Sequence, residues 1–275
     1  MSSGQLKFRN SSISYRLAGN GPRLAVCFHG YGENAGTFDF LASYAGNEYR
    51  FLAIDLPFHG QTDWQEGLIL QPNELESILH GIFDQLSFNR HTPDFRYTLV
   101  GYSLGGRISL ALYQLRPATV DRIVLLAPDG LKVSFWYWLA TQTSAGNRFF
   151  AFTMKKPQWF FGLVKLMYKA GLLNASIFKF VNYYIGDPTV RQQLFDRWTT
   201  LRKFKPSLPI IKSEIRQHNT KIRLIYGIHD RIILSSVGKK FCTGIETHCQ
   251  LTEIHAGHQV LHEKHVKEIL PAFLQ

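Results

Sequence analysis

Acidic residues are scarce in one long stretch of this 275-residue chain. Residues 131–221 hold 15 Lys and Arg against only Asp187, Asp196 and Glu214, and the rest of the sequence is close to neutral, so the net charge of +11 belongs to that stretch. Cysteine is sparse too. Cys27, Cys242 and Cys249 are too few and oddly numbered for a disulfide framework, and Cys27 lies inside an apolar, strand-like run. Three free thiols in a reducing compartment are the expectation, with a Cys242–Cys249 bridge left open. No uncharged apolar run reaches the roughly 18 residues that suggest a membrane-spanning helix. The opening "MSSGQLKFRN" also lacks the apolar segment and small-residue cleavage site of a secretory signal. These absences lead us to expect a soluble, cytoplasmic protein. Repeats and low-complexity linkers are missing as well.

What remains is a composition that folds. With 45% hydrophobic and 19% charged residues, the chain can bury one large core or two modest ones. Up to residue 130, short apolar runs ("LAVCFHG", "RFLAIDL", "YTLVGYS", "VDRIVLLAP") alternate with helical patterns such as "PNELESILHGIFDQL", where Pro72 suits a first helical turn. The alternation returns after residue 221 with "KIRLIYG", a helix near 235–243, "CQLTEIH" and a closing helix from about 261. Apolar strands alternating with helices predict an α/β fold, a mostly parallel sheet of about eight strands with helices on both faces. The basic stretch reads instead as several helices. The expected organisation is therefore a core domain over residues 1–130 and 216–275, with a helical insertion over residues 131–215.

The segment "YTLVGYSLGGRISLALYQL" carries the first chemical signal. Gly101, Ser103 and Gly105 form G-x-S-x-G between a strand and a helix, the context in which that motif holds a nucleophilic serine on a sharp turn. A serine hydroxyl needs a base, and "EIHAGHQVLHE" offers His255, His258 and His262. His258 follows Gly257 in a loop after the last strand, where an imidazole can swing over the sheet. By contrast, His255 is assigned to a strand, and His262 and His265 to solvated helical positions. A base of this kind needs a carboxylate to orient it. Two fit: Asp230 in "LIYGIHDRII", whose loop pairs naturally with the histidine loop, and Asp129 in "LLAPDG", which also reads as a turn residue beside Gly130.

Two backbone amides are needed for an oxyanion, and Leu104 and Tyr31 stand at the right places, after the serine and after the strand ending in His29 and Gly30. His29 is assigned a scaffolding role. In "DLPFHGQTDW", Asp55, His59 and Gly60 read as turn scaffolding. Gly30, Tyr102, Phe58 and Trp136 are candidate pocket residues.

Together "HGYG", "DLPFHGQT", "GYSLGG", "GIHD" and "GHQ" resemble, in order and over nearly the whole chain, the motifs of the α/β hydrolase fold family, of the esterase and lipase type. The resemblance implies Ser103 as nucleophile, His258 as base, Asp230 as acid, Tyr31 and Leu104 as oxyanion donors, and the insertion as a helical cap. One position departs: Phe58 stands where the family's D-x-P-G-H-G loop has glycine. A serine rather than an aspartate at 103 speaks against dehalogenase or epoxide hydrolase chemistry.

The expected reaction is hydrolysis of a small-molecule carboxylic ester through an acyl-enzyme, with no metal and no organic cofactor. The same fold and triad also serve carbon–carbon bond hydrolysis, acyl transfer or cofactor-free peroxidation, and a non-catalytic binding protein is a further alternative. Residues 131–221 carry 18 of the 38 aromatic residues, which either fill the insertion's own core or face an apolar substrate. Cations beside aromatics suggest an anionic lipid surface as a partner. Nucleic acid is not expected, because the basic residues are spread over several helices without a recognition motif.

Overall fold

The computed structural model describes residues 1–133, 135–171, 183 and 185–274. Eight strands form one sheet: β1 (Ser2–Phe8), β2 (Ser11–Ala18), β3 (Arg23–Phe28), β4 (Tyr49–Ile54), β5 (Tyr97–Tyr102), β6 (Val120–Leu126), β7 (Lys221–Gly227) and β8 (Cys249–Ile254). Their order across the sheet is β1-β2-β4-β3-β5-β6-β7-β8, antiparallel only at β1–β2 and β2–β4. The fold is thus α/β with a mostly parallel sheet, as the alternating pattern predicts. Every residue of β5 is buried, and so is every residue of β3 except Arg23, which suits strands covered on both faces. β1 and β2 form a hairpin that the sequence reading does not contain, because β1 stays exposed or half-buried throughout and carries little apolar signal.

The helices joining these strands follow their sequence signals. α1 (Leu41–Ala45) is a single turn, whereas α2 (Pro72–Gln85) begins on Pro72 and its Glu74 Oε2 accepts the Gln71 amide at 2.9 Å. α2 buries Leu75, Ile78, Leu79 and Ile82, spaced to share one face. α3 (Leu104–Leu115) follows β5 directly.

Two compact units divide the chain: Met1–Glu66, Gln71–Lys132 and Phe204–Gln275 in the first, Gly67–Leu70 and Val133–Lys203 in the second. The second contains α4 (Phe135–Gln142), α5 (Ser144–Lys155), α6 (Gln158–Lys169) and α7 (Pro188–Thr200). α8 (Leu208–His218), which lies in the stretch read from sequence as insertion up to residue 215, groups with the first unit and buries Ile211 and Ile215 there. α9 (Ser235–Cys242) precedes β8.

Three details differ from the sequence reading. Cys242 and Cys249 are joined in a disulfide, with Cα atoms 5.4 Å apart, so only Cys27 is a free thiol, and it is buried in β3. The pairing arises because α9 ends where β8 begins, a proximity set by the turn between them and invisible in spacing alone. The closing helix is broken into short turns at Glu263–His265, Val266–Ile269 and Pro271–Leu274, and at the last break Pro271 has no amide hydrogen to continue the preceding turn. His265 is buried, at 7% exposure, rather than solvated.

Candidate active site

The chain passes from β3 to β4 on one side and then crosses to β5 on the other, so the carboxyl ends of β3 and β5 meet where the winding reverses. In open α/β sheets that crevice is where ligands bind. Ser103 lies at this point, between β5 and α3, with φ 49° and ψ −113°. A positive φ on a serine costs of order 1–3 kcal/mol and persists only where the surroundings enforce it. Here its amide donates to Leu126 O at 2.9 Å, and its carbonyl accepts from Gly106 N at 2.9 Å and Asp129 N at 2.8 Å. The neighbouring glycines are sterically required. A Cβ at Gly101 would sit 2.5 Å from Gly105 O, and one at Gly105 only 1.8 Å from Phe28 O.

His258 and Asp230 converge on this corner. His258 Nε2 lies 3.0 Å from Ser103 Oγ, and its Nδ1 lies 2.8 Å from Asp230 Oδ2. Facing a carboxylate, Nδ1 carries the hydrogen, which leaves Nε2 to accept the Ser103 hydroxyl. Asp230 is held on its other oxygen: Oδ1 accepts the amides of Ile232 at 2.7 Å and Ile233 at 3.0 Å. The Asp230 side chain is fully buried against a 20% exposed His258, so the pair is shielded on the carboxylate side. Tyr102 packs its ring 5.7 Å from that of His258 and donates its hydroxyl to His258 O at 3.2 Å. Burial, with Glu33 and Asp230 nearby, pushes the Tyr102 phenol well above its ordinary pKa, so it remains a donor.

Asp129 is engaged elsewhere. Its Oδ1 accepts the Gly130 amide at 2.7 Å, and its Oδ2 lies 3.4 Å from Arg107 Nε. Gly30 does reach the corner, since a Cβ there would stand 3.4 Å from Ser103 Cβ and 3.1 Å from the Tyr102 ring. Tyr31 is the next residue, its ring edge-on to His59 at 6.2 Å, and Leu104 is the first residue of α3. The His29 tautomer is fixed because Leu56 N donates to Nε2 at 3.1 Å, so Nδ1 donates to Gly30 O at 2.8 Å. Asp55 ties the same loops, accepting Ala35 N at 2.6 Å and Gln61 N at 2.9 Å. Phe58 adopts φ 63°, so the loop keeps the left-handed turn expected of glycine despite its side chain. The Trp136 side chain lies outside the described residues.

Glu33 has no place in the sequence reading. Its Oε2 is buried without a hydrogen-bond partner among the described residues. Burial raises its carboxyl above the ordinary range, offset in part by Thr37, the Gly30 backbone and the His258 ring. A carboxylate two residues past Tyr31 in "HGYGEN" is the signal that could have marked it. Among the described residues no group of three His, Cys, Asp or Glu is arranged to hold a metal ion.

A family model described as "Serine aminopeptidase, S33" matches residues 22–265. The chain belongs to this family of α/β hydrolases. The hydrolase YugF of Bacillus subtilis is similar, at 24% identity over 89% of this chain and 86% of its own length. A pimeloyl-[acyl-carrier protein] methyl ester esterase of Nitrosomonas europaea is 31% identical over 46% of this chain, and the match spans 46% of that protein. Among solved structures, one from a study of carboxylesterases of Nitrososphaera gargenis superposes with a TM-score of 0.66 at 18% identity, covering 98% of this α/β hydrolase and 97% of that chain. That likeness is one of fold.

Proposed function

We propose that this α/β hydrolase cleaves small carboxylic esters with an apolar acyl or alcohol part, using Ser103 as nucleophile, His258 as base and Asp230 as its orienting acid. The observation that carries the reading is the unbroken chain from Ser103 Oγ through both ring nitrogens of His258 to a buried, doubly amide-bonded Asp230. In this reading His258 takes the hydroxyl proton as Ser103 Oγ attacks the ester carbonyl, and the tetrahedral oxyanion is held by the amides of Leu104 and Tyr31. The imidazolium then protonates the leaving alcohol, and water activated by His258 attacks the acyl-enzyme to release the acid. Leu104 opens α3, so the helix dipole adds positive potential where the oxyanion forms.

Asp230 is assigned as the acid in preference to Asp129, which already serves Gly130 and Arg107. Apolar side chains flank the acid's loop: Ile228, Ile232 and Leu234 are 44%, 74% and 54% exposed, which favours an apolar substrate part. The esterase and carboxylesterase relatives point the same way. The helical second unit is read as the cap, and the cytoplasm as the compartment.

The test is labelling with a fluorophosphonate followed by peptide mapping, together with turnover on p-nitrophenyl esters of graded chain length and on an aminoacyl p-nitroanilide. Modification at Ser103, ester turnover rising with chain length and a loss of about 10⁴-fold or more in Ser103→Ala and His258→Ala are expected. An unlabelled Ser103 with no ester turnover would sink the reading, and turnover confined to the anilide would replace ester by amide hydrolysis.

A further inference from the structure

We propose that the outward faces of α5 and α6 form a docking surface for membranes of anionic phospholipid. On α5 and its C-terminal cap Lys156 the exposed residues include Arg148, Phe149, Phe152, Lys155 and Lys156, whose spacing puts them on one side of the helix. The other side is committed to the second unit's own core: Thr153 and Met154 are buried, and Phe150 packs 5.4 Å from Phe195 and 5.9 Å from Trp198. α6 repeats the arrangement, with Trp159, Leu163 and Leu166 exposed one turn apart, Lys165 and Lys169 beside them, and Val164 buried. Rings of Phe149 and Trp159 lie 5.2 Å apart, so the two stripes join into one patch.

The apolar members are large and open to water. Phe149 is 57% exposed, Phe152 48% and Leu166 65%. Aromatic and leucine side chains among lysines match the chemistry of the bilayer interface, where rings enter the headgroup layer and cations meet lipid phosphates. Charge complementarity fixes the lipid class. Residues 131–186 contain no Asp or Glu, so nothing in that stretch offsets the cations. A second copy of the chain fits poorly, because a two-fold interface would press this cationic patch against itself. No helix among the described residues is long and apolar enough to cross a membrane, so the patch is read as lying on the surface. The proposal goes beyond ester hydrolysis and is measured without it.

The experiment is co-sedimentation of the full chain with vesicles of phosphatidylcholine alone or mixed with phosphatidylglycerol, over a range of salt. Binding is expected to require phosphatidylglycerol and to fall as salt rises. Lys155→Gln and Lys156→Gln should each weaken it about fivefold, the effect of one cation near an anionic surface. Phe149→Ser combined with Phe152→Ser should weaken it further while leaving the circular-dichroism spectrum that of the folded chain, since both side chains are about half exposed. Equal binding to both vesicle types, no binding to either, or anionic binding that survives both sets of substitutions would overturn the proposal. So would a gel-filtration dimer dispersed by the Phe149 and Phe152 substitutions.

Discussion

Asp230 touches His258 through one carboxylate oxygen, at 2.8 Å, and spends the other on the amides of Ile232 and Ile233. The carboxylate cannot rotate without losing all three bonds, so it fixes both the tautomer and the direction of the imidazole. Asp230→Asn should leave the fold intact and lower ester turnover on the order of 10⁴-fold, because an amide nitrogen facing Nδ1 favours the wrong tautomer. Asp129→Asn should stay within about tenfold of the parent. Parallel kcat/KM measurements on the two variants check the assignment, and a larger loss at Asp129 would reverse it.

Strain at the serine has a thermodynamic signature. Ser103→Gly removes the hydroxyl and also the cost of φ 49° at a residue with a Cβ. The variant should be inactive yet more stable than the parent by about 1 kcal/mol, read as an upward shift in the midpoint of chemical denaturation with an unchanged slope. A drop in midpoint would mean that the corner is not strained.

Glu33 makes stability depend on pH. Its carboxyl is raised by burial, so the folded state binds the proton more tightly than the unfolded chain does. The stabilisation from the protonated form is complete below the ordinary carboxylate range and is lost as pH rises through the raised value. Glu33→Gln should therefore melt higher than the parent at neutral pH and at the same temperature below about pH 4. Melting curves across pH give the answer, and a constant difference at every pH would refute it.

The cysteines offer a direct count. Denatured without reductant, the chain should present one titratable thiol, Cys27, and after reduction all three. In the native state Cys27 should react slowly with thiol reagents, because burial raises its pKa well above the ordinary value and denies access.

Legibility from sequence followed the strength of local signals. Buried parallel strands announce themselves as apolar runs, so β3 through β8 could be read directly, whereas β1 could not, because a strand with no fully buried residue leaves little trace. At the candidate site, Ser103, His258 and Asp230 stand on three different loops, and motif order placed all three where the structure draws them together. The sequence favours Asp230 over Asp129 through its loop's pairing with the histidine loop, and what it does not encode is the engagement of Asp129 by Arg107 and the Gly130 amide. Glu33 went unnoticed because its burial depends on contacts among loops that no local pattern encodes. The Cys242–Cys249 bridge stays open in the sequence for a similar reason: an odd cysteine count argues against a framework and says nothing about one pair brought together by a turn.

β6 and β7 are hydrogen-bonded neighbours in continuous register, yet nearly the entire second unit is threaded between them. Ser103, Asp230 and His258 all lie outside that detour. Changes in the length or charge of the excursion between these two adjoining strands can therefore be made without altering the loops that carry Ser103, Asp230 and His258.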